Sequence, residues 1–125
     1  MLDWGLLMFR WSTNAAPTED AWVNLSKFLN FTLQRDLKNI SNLITPGILS
    51  TFKRDGQYSY HTACFYAYLE EREPALDWLE NAVNRVMFNY PLFAEYDPFL
   101  EKIRGEERFK KLMERVKYEW EHFEV

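Results

Sequence analysis

The sequence predicts an all-α protein, on three observations. Glycine (4) and proline (5) are scarce among the 125 residues, too few for a β architecture of many turns. Apolar residues return every three or four positions along most of the chain, and no useful stretch alternates apolar with polar. Aromatic content is 18%, with 10 Phe, 7 Tyr and 5 Trp, so each residue must bury a large area. Hydrophobic residues at 47% and charged residues at 27% argue against both a disordered tail and a membrane protein. The length suits one domain over residues 1–125.

Residues 1–17 read as a partial helix, with Leu2, Leu6 and Phe9 at helical spacing, followed by a loop. A first hairpin spans 18–44. Thr18 caps its first helix, Glu19 and Asp20 complement the dipole, and Trp22, Leu25, Phe28 and Leu29 make the stripe. Its second helix, from about Gln34, places Leu37, Ile40, Leu43 and Ile44 on one face. Thr45-Pro46 is a cap followed by proline at the first helical position, and opens a short linking helix within 45–54. Asp55 caps an aromatic helix running to about Glu70. That helix has no charged face, so it must be covered on more than one side, as in a layered stack of hairpins. After a turn at Glu71–Glu73, Ala75, Leu76, Leu79, Ala82, Val83 and Val86 form the stripe of the returning helix. Residues 91–125 close the chain: Asp97-Pro98 repeats the start signal, Gly105 ends a short helix, and a final helix carries Phe109, Leu112, Met113, Val116, Trp120 and Phe123. Its opposite face, Lys110, Lys111, Glu114, Lys117 and Glu121, is wettable, as the end of a stack requires.

The segment Gly56–Tyr90 is a helix, a turn and a helix of about 34 residues, the period of the tetratricopeptide repeat. With Gly56 as its first position, Ala63, Tyr66, Ala75, Leu79 and Ala82 fall on the small and large sites of that repeat. Ser59, Thr62, Glu70 and Met87 depart from its tryptophan, leucine, turn-glycine and terminal-proline sites. The longer string resembles the carboxy-terminal end of tetratricopeptide-repeat regions in bacterial and archaeal signalling proteins. It runs through Leu43-Ile44-Thr45-Pro46, Ala75-Leu76-Asp77-Trp78-Leu79, Asp97-Pro98-Phe99-Leu100 and Ile103-Arg104-Gly105-Glu106-Glu107-Arg108-Phe109. Such regions often follow serine/threonine kinase, adenylate-cyclase-like or winged-helix domains. The resemblance covers residues 43–125 well, 18–42 loosely and 1–17 not at all. It implies a right-handed stack of antiparallel helical hairpins, a tetratricopeptide-like α–α superhelix with a C-terminal capping helix, and no catalytic residues of its own.

The function that the resemblance implies is a non-enzymatic interaction scaffold for a protein or peptide partner. If the aromatic helix is the first of a repeat, the concave side displays Gln57, Tyr60, Cys64 and Tyr68 as the partner-binding row. The alternative is a homodimerisation module working through the apolar segment Met1–Trp11. A small enzyme is the least supported reading. His61 and Cys64 could pair, yet a closed metal site wants about four ligands, and phosphate-loop and dinucleotide glycine patterns are absent. No cofactor or metal is expected. Net charge of −4 opposes nucleic-acid binding. No membrane partner is expected, because Met1–Trp11 is interrupted by Asp3 and Arg10 and falls short of a span. A lone cysteine points to a reducing, cytoplasmic location.

Overall fold

A computed structural model describes residues 19–123. The readings for Met1–Trp11 and the Thr18 cap lie outside them. All regular elements among the described residues are helical: α1 (Glu19–Leu33), α2 (Leu37–Leu43), α3 (Pro46–Lys53), α4 (Gly56–Tyr68), α5 (Arg72–Asn84), a π-helical turn Leu92–Tyr96, a 3-10 helix Pro98–Ile103, and α6 (Glu107–His122). Packing divides the chain into two compact units, residues 1–51 and 52–125.

In the first unit α1 and α2 pack together. Trp22, Leu25, Phe28 and Leu29 are buried, as their spacing requires. Asp36 caps α2 by accepting from Asn39 N at 3.2 Å, and Ile40 is its buried residue. Leu37, expected on the apolar face, is 63% exposed. A seven-residue helix has room for little more than one buried turn.

The second unit is built on the α4–α5 hairpin. Asp55 Oδ1 accepts from Gln57 N at 2.8 Å and Tyr58 N at 3.0 Å, satisfying orphan donors at the start of α4. The two helices are antiparallel: the start of α4 meets the end of α5. A Cβ placed on Gly56 would stand 2.9 Å from Arg85 O and 3.1 Å from Arg85 Cβ, so glycine is required by close approach. Ser59 and Asn81 stitch the same end, with Asn81 Nδ2 donating to Ser59 Oγ (2.8 Å) and Lys53 O (3.0 Å). Ser59 Oγ in turn donates to Phe52 O at 2.9 Å. Ala63, Ala67, Ala75 and Ala82 are all at 0% exposure, and these small side chains let the helices approach.

Residues 92–122 then lie alongside this hairpin in the same direction. Tyr60 stacks on Phe93 (5.1 Å), Tyr68 tilts onto Phe99 (5.6 Å), and Glu70 pairs with Lys102 (3.5 Å), so 92–103 runs parallel to α4. Arg72 pairs with Glu106 (3.2 Å), Arg108 with Glu73, Asp77 and Glu80, and Arg115 Nη1 donates to Asn84 Oδ1 (2.7 Å), so α6 runs parallel to α5. Hydrogen-bonded pairs between the two layers are separated by 28 to 37 residues throughout. The separation stays in a narrow range, so each helix of the hairpin has a parallel neighbour, whereas an antiparallel bundle would give separations that change steadily along the chain.

Three helices end on a non-glycine residue at positive φ: Arg35 (53°), Glu70 (63°) and Val86 (72°). Glu70 stands where the repeat pattern has glycine, and it adopts the left-handed conformation that glycine would. Val86 is the most strained, since a β-branched residue fits that region poorly. The α6 stripe also ends sooner than its spacing suggests. Phe109, Met113 and Val116 are buried, but Trp120 is 47% and Phe123 59% exposed. Asn84, the last residue of α5, is bonded to Arg115, so α6 outruns the helix beneath it.

Two substitutions test this architecture by thermal or urea denaturation. Gly56→Ala should cost about 1–3 kcal/mol, because its methyl group meets backbone that has nowhere to move. Val86→Gly should stabilise by about 1 kcal/mol by releasing the strain, less the added freedom of the unfolded chain.

Candidate functional site

The candidate row lies on one face of α4 and has two outcomes. Gln57 and Tyr68, near its ends, are half-buried. Tyr60 and Cys64, in its middle, are each only 1% exposed. These two are therefore core residues here, a correction to the expectation that they are displayed. The physical reason is that residues 92–103 fill the space above them: Phe93, Leu100 and Ile103 are at 0% exposure and Phe99 packs edge-on to Phe65 (6.4 Å).

Asp97 is the residue that joins this cover to α4, and sequence reasoning assigned it only a capping role. It does cap: Oδ1 accepts from Phe99 N at 2.9 Å at the start of the 3-10 helix. Its other oxygen accepts from the Tyr60 hydroxyl and from Cys64 Sγ at 3.3 Å. The carboxyl group is at 0% exposure. Arg104 braces the same turn, with Nη2 donating to Asp97 O (2.7 Å) and Nε to Phe93 O (3.0 Å). The one available signal was the helical spacing of Tyr60 and Cys64, which puts a hydroxyl and a thiol side by side and calls for a buried acceptor.

Burial dominates the electrostatics. It raises the Asp97 carboxyl from 3.8 to about 6, against the opposing pull of the Phe99 N–H and the Arg104 charge. It raises the Cys64 thiol well above its ordinary range, with Arg104 opposing, which makes Cys64 a poor nucleophile. It lowers His61, 2% exposed, from 6.5 to about 4, so this imidazole is neutral at pH 7. Tyr58 and Tyr66 are raised, first by burial and then by the neighbouring Asp55 and Glu71 charges.

Among the described residues, no group of three His, Cys, Asp or Glu side chains could hold a metal ion. Nor is any helix long and apolar enough to cross a membrane. A shallow cavity of about 240 Å³ between α5 and α6 is lined by Leu76, Glu80, Arg108, Lys111, Leu112 and Arg115. Arg108 is already committed there to three carboxylates at 2.6–3.0 Å. No family model, curated protein or solved structure matches the chain.

Two measurements test the clasp. Tyr60→Ala should destabilise by about 3–5 kcal/mol, as loss of a buried aromatic does, and reduce helical content before any binding is read. The second is a pH profile. A carboxyl raised on folding contributes stability that is full below its unfolded value near 3.8 and is lost as pH rises through about 6. His61, lowered on folding, contributes the opposite slope, full above 6.5 and lost as pH falls through about 4. In Asp97→Asn only the His61 slope remains. Urea denaturation from pH 4 to pH 7 should therefore show the variant gaining about 2–3 kcal/mol relative to the parent as pH rises. A pH-independent difference would mean that the carboxyl does not titrate in the fold.

Proposed function

We propose that the chain is a non-enzymatic, tetratricopeptide-like scaffold that holds a protein or peptide partner on a rigid helical surface. The observation that carries the reading is the constant offset of 28 to 37 residues between bonded partners in the two layers of residues 52–123. That spacing is what a stack of translated hairpins produces, and it agrees with the resemblance carried by residues 43–125. In this reading 92–103 stands as the first helix of a degenerate second repeat, and α6 as the capping helix. Surface recognition suits such a stack, because a preformed face loses little conformational freedom on binding.

The absence of catalysis is part of the proposal, and the chemistry of the buried groups supports it. The thiol, hydroxyl and carboxyl of Cys64, Tyr60 and Asp97 satisfy one another inside the core. A thiol that is buried and raised by that burial has neither the charge nor the access that a nucleophile needs. A free, buried Cys64 also suits the proposed cytoplasmic location.

With Tyr60 and Cys64 covered, the accessible parts of the original row are Gln57 and Tyr68. A photo-crosslinking amino acid at either position, expressed in the native host, should yield discrete crosslinked protein species. The same group at exposed Glu107, on the first turn of α6, serves as the control. If Gln57 and Tyr68 give nothing beyond that control, the partner does not use this face of α4.

A further inference from the structure

We draw no further inference here: the strongest candidate, the buried Asp97–Tyr60–Cys64 side-chain cluster at the seam between α4 and residues 92–103, belongs to the clasp already described and carries no switch of its own, because buried His61 beside Tyr60 opposes its pH slope.

Discussion

The second unit depends on a single buried carboxyl. Asp97 starts the 3-10 helix with one oxygen and takes the Tyr60 hydroxyl and Cys64 thiol with the other. Capping and docking are thereby the same event: the turn that begins Pro98–Ile103 exists in the register that places Phe93 on Tyr60 and Phe99 against Phe65 and Tyr68. A carboxyl this deep is costly unless its lone pairs are filled. Here each oxygen has a donor, and the group answers burial by holding its proton more tightly. The arrangement is specific because few alternative registers would satisfy the same donors.

From that clasp outward the two layers follow one another. α4 and its cover run in parallel, as do α5 and α6, with charged side chains at the rim rather than the seam. Arg108, itself half-buried, reaches three carboxylates of α5 that are more than half exposed. Such exposed pairs contribute little to stability, and their use is to discriminate between registers. The apolar contacts beneath them supply the stability, at about 1.5–3 kcal/mol for each fully buried large side chain.

Much of the fold was legible in the residues. Asp55, Asp97 and Thr45-Pro46 marked helix starts within a residue of where they occur, because a side-chain acceptor followed by free N–H groups is a local arrangement. The alanines at 63, 75 and 82 announced a close hairpin because only small side chains permit one. The environment of the candidate row was legible only in part. Helical spacing puts Gln57, Tyr60, Cys64 and Tyr68 on one side of α4, but spacing says nothing about what lies above that side. Likewise, Trp120 and Phe123 continue the apolar stripe in the sequence, and nothing local reveals that α5 stops at Asn84 and leaves them uncovered.

Local chemistry in the sequence determined which residues form helices, where those helices start, and which side of each is apolar. These properties depend on neighbours three or four positions away, within reach of the chain's own backbone. Tertiary structure alone decided which apolar sides face each other and which face water. It sealed Tyr60 and Cys64 beneath Asp97, and it left Val86, Trp120 and Phe123 in the open. Those outcomes depend on groups some thirty residues apart in the chain, brought together where residues 92–122 pack on the α4–α5 hairpin.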